Sequence, residues 1–186
     1  FDTSQCTGDS CAAVVTLPDP SNDVAGDTTG HADSIDDLCL TTAGGGPEIV
    51  YSFTPSETGL IDVSFGSPGV DLSLSLRSTC AQSASEIACK DDAFPNSATN
   101  PDTERLLVQG QAGTPVFIVV EGYDASGAGP FTLSAESRQT VCGDGNVDAP
   151  AELCDGANVG GATCADAGFA SGTLTCAPGC TAFDTS

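Results

Sequence analysis

The sequence predicts an all-β fold: a jelly-roll-like β-sandwich followed by a small disulfide-rich, loop-dominated module. Three observations carry this. Residues 11–137 are laid out as short runs of Val, Ile, Leu, Phe and Thr separated by Gly, Pro, Asp and Ser, the punctuation of strands and turns. No stretch keeps a helical period over ten residues. From Arg138 the composition changes, and residues 142–186 hold five cysteines, many glycines and few large apolar groups. Such a segment needs covalent staples or metal to hold a fold. The chain is therefore divided into 1–10, the tail of a preceding repeat; 11–137, the sandwich; and 138–186, a cysteine-rich calcium-loop module.

The strands follow in order. Ala13–Leu17, Ile49–Phe53 and Leu60–Phe65 are apolar and β-branched runs. Asp71–Arg77 alternates strictly, with three leucines on one face and polar groups on the other. Arg105–Val108, Val116–Val120 and Phe131–Ala135 complete the set. The Val116 run is uniformly apolar, which predicts a central strand covered on both faces.

Net charge is −22, from 26 acidic and four basic residues, Arg77, Lys90, Arg105 and Arg138. Such a surface repels polyanions, which argues against nucleic acid and anionic membranes as partners. Multivalent cations would relieve the self-repulsion, and calcium is the expected cofactor. The competing reading is that acidity serves solubility alone. No apolar run is long enough to span a membrane and no signal peptide is apparent, so the chain reads as mature material or an excised piece.

Ten cysteines, Cys6, Cys11, Cys39, Cys80, Cys89, Cys142, Cys154, Cys164, Cys176 and Cys180, imply an oxidising, extracellular compartment. With no CxxC pair and one histidine, His31, zinc is not expected. Spacing suggests Cys80–Cys89, leaving Cys11–Cys39, and a Cys142–Cys154 clamp. Phe-Asp-Thr-Ser occurs twice, at Phe1–Ser4 and Phe183–Ser186, and Gln5-Cys6 follows the first. This reads as one repeat window with a short overlap. Cys6 would then belong to the preceding unit, and Cys180 would pair in the following one.

Two acidic groups are candidate calcium sites. Counting Asp144 as the first position of a calcium loop, oxygen ligands fall on Asp144, Asn146, Asp148, the Pro150 carbonyl, Glu152 and Asp155, the spacing of an EF-hand loop. Ala149 stands where a glycine is expected, and the last ligand is aspartate rather than glutamate. The alternative is an Asp/Asn/Gly turn cluster held by disulfides. The second group joins Asp91 and Asp92 with Asp71, Glu121 and Asp124 at strand ends or loops.

No enzyme signature emerges. His31 sits in a polar Gly30-His31-Ala32-Asp33 segment, no G-x-S-x-G elbow occurs, and Gly44-Gly45-Gly46 lacks the lysine of a phosphate loop. Paired carboxylates abound, but there is no Trp and only Tyr51 and Tyr123 to hold a sugar against a ring.

Asp71-Leu72-Ser73-Leu74, Cys89-Lys90-Asp91-Asp92, Ala112-Gly113-Thr114, Val119–Tyr123 and Gly129–Leu133 together resemble the bacterial pre-peptidase C-terminal domain. That resemblance covers about residues 11–137. It implies a non-catalytic jelly-roll sandwich appended to secreted proteins, some members of which bind calcium. Cys142-Gly143-Asp144-Gly145 through Glu152-Leu153-Cys154-Asp155-Gly156 resembles the cysteine-rich CGDG repeat of large secreted bacterial surface proteins. The expected function is a structural repeat unit of an extracellular fibre, stabilised by calcium and disulfides, with neighbouring copies as partners. The alternative is an adhesive or carbohydrate-binding module that meets surface glycans.

Overall fold

A computed structural model describes residues 8, 10–35, 37–40, 45–92 and 102–185. The sandwich strands are β1 (Val15–Leu17), β2 (Ser21–Asp27), β3 (Glu48–Phe53), β4 (Gly59–Ser67), β5 (Leu72–Arg77), β6 (Glu86–Lys90), β7 (Asp102–Gly110), β8 (Val116–Gly122) and β9 (Pro130–Gln139). The sole helical element among the described residues is a 3-10 turn at Ser83–Ser85.

The pairing is that of a long hairpin rolled on itself. β2 pairs with β9, β3 with β8, β4 with β7 and β5 with β6, all antiparallel. Rolling brings β4 against β9 and β5 against β8. The result is a five-stranded sheet, β1-β3-β8-β5-β6, facing a four-stranded one, β2-β9-β4-β7. This is the jelly-roll course expected from the sequence. β1 is an addition, pairing parallel with β3 at the sheet edge.

Alternation fills the space between the sheets. Leu72, Leu74, Leu76, Ile118 and Val120 meet Ile61, Val63, Phe65, Phe131 and Leu133 there. Tyr51 and Phe65 pack edge-on against the Phe131 ring, at centroid separations of 6.4 and 6.3 Å, geometry favoured by the ring quadrupole. Gly26 in β2 lies opposite Phe131, where a Cβ would stand 2.2 Å from the ring. β8 is the middle strand of the five-stranded sheet, as its uniformly apolar sequence required. Its Ile118 and Val120 face the core, while Val119 packs on the other side with Val50, Ile35 and Cys80.

The disulfides differ from the spacing-based pairs. They are Cys11–Cys80, Cys39–Cys89, Cys142–Cys180 and Cys154–Cys176. Cys89 stands opposite Ser75 on the outer face of the sheet, where the descending segment brings Cys39 rather than Cys80. Loops of 69 and 50 residues contribute about 4 kcal/mol each in the chain-entropy model. Cys180 closes within its own module, so it does not bridge to a following unit. Cys164, expected in a disulfide, is a free thiol, and Cys6 lies outside the described residues.

After β9 the chain makes a disulfide-held loop module whose regular structure is the antiparallel ribbon β10 (Leu174–Cys176) with β11 (Phe183–Thr185). Arg138, near the end of β9, reaches across to Asp148.

Candidate functional site

Residues 28–35, 37–40 and 45–47 belong to a strap across the outer face of the five-stranded sheet. Strand alternation sends Ser73, Ser75 and Arg77 of β5 to that face, and they are 0, 0 and 1% exposed. Asp37 descends from the strap onto them. It accepts a hydrogen bond from Ser73 Oγ at 2.8 Å, another from Ser75 Oγ, and one from Arg77 at 3.2 Å. Beside it the Asp37 N–H donates to Glu121 Oε2 at 2.9 Å, and the Ser34 N–H donates to both Glu48 oxygens at 3.0 Å. Glu48 and Glu121 are cross-strand neighbours, so two carboxylates from the sheet and one from the strap meet backbone amides, hydroxyls and a guanidinium. The strap returns through Gly45 and Gly46, where a Cβ would meet Glu121 Oε1 at 1.8 Å and the Asp124 carbonyl at 2.1 Å. Burial pushes the Asp37 carboxyl up to about 6, against the pull of Ser75, Ser73 and the Arg77 charge.

The second predicted acidic group does gather at one end of the sandwich, where β5 starts and β6 and β8 end. It gathers as a like-charge cluster. Burial raises Asp91 to about 6, with Asp71, Glu104 and Asp92 adding to the effect. Burial, then the Asp124 charge, raises Asp71, whose Oδ1 has no hydrogen-bond partner among the described residues. Asp92 pairs with Lys90 at 2.6 Å. Asp124 caps its own turn, accepting from the Ser126 N–H at 2.8 Å, Ser126 Oγ at 2.6 Å and the Gly127 N–H at 3.0 Å. Glu121 is drawn away to the strap.

In the loop from Asp144 to Asp155 the carboxylates face internal donors. Asp155 accepts from the N–H groups of Gly143, Asp144 and Gly145, so it organises the Cys-Gly-Asp-Gly turn. Asp144 Oδ1 accepts from the Asn146 N–H at 2.8 Å and its Nδ2 at 3.2 Å. Asp148 binds Arg138, and Glu152 accepts from the Asp148 N–H at 3.3 Å. Pro150 follows a cis peptide bond. Among the described residues the one set of three potential metal ligands within 4.8 Å is Glu152, Asp155 and Cys180, and the Cys180 sulfur is in a disulfide. Asp144, Asn146 and Asp148 do not join it.

The outer face of the four-stranded sheet is open. Asp62 and Ser64 of β4, Arg105 of β7, and Thr132, Ser134 and Glu136 of β9 lie along adjoining grooves of about 320 and 670 Å³. Arg105 reaches Asp62 with two nitrogens. Sequence reasoning missed Asp37, Glu48, Glu104 and this face. The usable signal was Arg77, one of four cations in the chain, ending an alternating strand.

No protein-family model matches the chain, and no curated protein does. Among solved structures it is similar to the pre-peptidase C-terminal domain of a collagenase from Bacillus anthracis, with 17% identity over 66% of this chain and 94% of that one, at a TM-score of 0.44. It is also similar to a family 35 carbohydrate-binding module from an environmental isolate, with 18% identity over 76% and 97% and a TM-score of 0.35. A third is a carbohydrate-binding module of Cellvibrio mixtus lichenase 5A in complex with cellotriose, with 16% identity over 64% and 90% and a TM-score of 0.33. At these values the likeness assigns no residue a role.

Two outcomes are expected. Arg77→Met strips the strap of its buried cation and should cost about 3–5 kcal/mol in urea unfolding near pH 8. The loss should shrink near pH 5, where Asp37 takes up a proton; an equal loss at both pH values would show that Arg77 acts by packing alone. Asp37 and Asp91 have folded values near 6, above the ordinary 3.8, so their contribution to stability is full below 3.8 and is lost as pH rises through 6. At low salt the melting temperature should therefore rise as pH falls from about 7.5 to about 5, and Asp91→Asn should flatten that rise. A flat profile in the parent chain would rule out proton linkage at the acidic end.

Proposed function

We propose that the chain is a non-catalytic, extracellular β-sandwich module that binds a hydroxyl-rich ligand, a glycan, on the open face of its four-stranded sheet. The observation that supports this is the asymmetry between the two sheets. One outer face carries the strap and is crossed by two disulfides. The other presents hydroxyls, carboxylates and the Arg105 fork along a groove of about 670 Å³, within the range of about 300–1,000 Å³ for small-ligand sites. With no Trp in the chain, recognition on this face works by hydrogen bonding rather than ring stacking. Calcium, in this reading, is a counter-ion of the end bearing Asp71 and Asp91, whose carboxyls crowd one another. The Asp144–Asp155 loop instead satisfies its carboxylates internally.

A second reading, favoured by the recurrence of Phe-Asp-Thr-Ser, makes the chain a repeat unit of a longer extracellular protein. The second occurrence supplies strand β11, so the recurring letters carry a structural element.

The test is calorimetric titration against a panel of soluble neutral and acidic oligosaccharides, with calcium and with a chelator. Binding that disappears in Ser134→Trp, with the melting temperature unchanged, is expected. Saccharide binding untouched by that block, or none across the panel, would sink the glycan reading. Calcium should raise the melting temperature of the parent chain and of Asp144→Asn, but not of Asp91→Asn.

A further inference from the structure

One residue on the open face departs from ordinary strand geometry. Asp23 of β2 adopts a φ of 53°, in the left-handed region that glycine enters freely and that L side chains enter at a cost in strain. The register shows what holds it there. Ser21 pairs with Ala135 and Val24 with Leu133, so Asn22 and Asp23 together stand opposite Ser134. This is a β-bulge, a device that re-aims a side chain at a strand edge. The Asp23 N–H donates to Ser134 Oγ at 3.2 Å, and Asp23 lines the groove of about 670 Å³. Among the described residues its carboxylate has no hydrogen-bond or ion-pair partner, whereas Asp37, Asp124 and Asp155 are met by donors.

The bulge puts Asp23 at the end of a polar row that crosses the sheet. Arg105 of β7 stands opposite Ser64 of β4, and Ser64 opposite Ser134 of β9. All four residues line the same groove. Beside them runs a second row, Thr103, Gly66, Thr132 and Ala25, small and uncharged, which leaves a trough across the strands. With strands about 4.8 Å apart, the polar row is about 14 Å long. It runs from a donor, the Arg105 guanidinium, through two hydroxyls that donate and accept, to an acceptor, the Asp23 carboxylate.

We propose, resting on the glycan reading above, that this row binds an uncharged oligosaccharide laid across the strands, with Asp23 as its specificity-determining acceptor. Sugar hydroxyls both donate and accept, so successive hydroxyls match each step of the row. The charges at its two ends are opposite, and Arg105 is already paired with Asp62. A chain of net charge −22 repels uronate and sulfate groups, so acidic sugars do not fit. The strained backbone of Asp23 accompanies a carboxylate presented to the groove, the kind of site at which such strain is kept.

The experiment titrates the full chain calorimetrically with cellotriose, mannotriose, xylotriose and trigalacturonate. At least one neutral trisaccharide should bind, and trigalacturonate should not. Asp23→Gly should weaken that binding about tenfold or more, while the melting temperature holds or rises because glycine relieves the positive φ. Arg105→Gln, at the other end of the row, should weaken it by a similar factor. Weaker binding together with a lowered melting temperature in Asp23→Gly would overturn the inference, by making Asp23 a structural residue. Equal affinity in the parent and in Asp23→Gly, with Ser134→Trp still blocking, would overturn it and leave the glycan reading standing. A preference for trigalacturonate would do the same, since the glycan would then be acidic. No binding of any of the four sugars would overturn both.

Discussion

A five-stranded sheet with apolar residues on both faces of its central strand must be covered twice, and this requirement organises the molecule. The opposing sheet covers one face of β8. The other face, with Val119 and Val50 at 0% exposure, needs a second cover, and the cover available is an acidic strap. A buried carboxylate is tolerated only where donors meet it. That is why β5 reads Leu-Ser-Leu-Ser-Leu-Arg. The leucines serve the inner face, and the two hydroxyls and one guanidinium serve Asp37. Apolar side chains on that row would take these donors from Asp37, and a strap without Asp37 would take from Arg77 its partner at 3.2 Å.

The four cations are distributed by the same logic, each set against acids at a different place. Arg77 sits under the strap, Lys90 at the acidic end beside Glu104 and Asp92, Arg105 on the open sheet with Asp62, and Arg138 at the junction with Asp148. Against 26 acidic groups this leaves the end holding Asp71 and Asp91 with Lys90 as its nearby cation, so burial and like charges act together there. Asp27 and Asp166 are held below the usual carboxylate range, chiefly by hydroxyl donors in their own turns. The contrast follows from placement: turn carboxylates find local donors, and strand-end carboxylates converge on one another.

Strands with a strong apolar pattern were legible in the sequence because burial on one or both faces writes that pattern directly. The run at Val116 even announced its central position. β2, Ser-Asn-Asp-Val-Ala-Gly-Asp, was not legible, because it is an edge strand with little buried surface. Its identity comes from pairing with β9, and a glycine sits where the Phe131 ring needs room. The disulfides were illegible for a related reason. Spacing favours near neighbours, whereas the strap and the N-terminal segment bring together cysteines 50 and 69 residues apart. Asp37 could not be singled out among so many acids, because what distinguishes it is the row of hydroxyls beneath it, set by β5 register.

The small module shows how one spacing can serve two opposite electrostatic ends. Oxygens at alternating positions of a tight loop suit a hard cation, and they equally suit a turn in which backbone N–H groups converge. Glycine shapes the second arrangement here. Gly143 and Gly145 adopt φ values of 102° and 94°, in the region other residues avoid, and this turns consecutive amides toward Asp155. Three N–H groups form a nest with partial positive charge, set against the Asp155 carboxylate. Asp148 is neutralised in turn by Arg138, an arginine of the sandwich itself. Asp155 thus meets donors of its own turn and Asp148 meets an arginine of β9. Two disulfides then hold the module in the place where a larger domain would have a core.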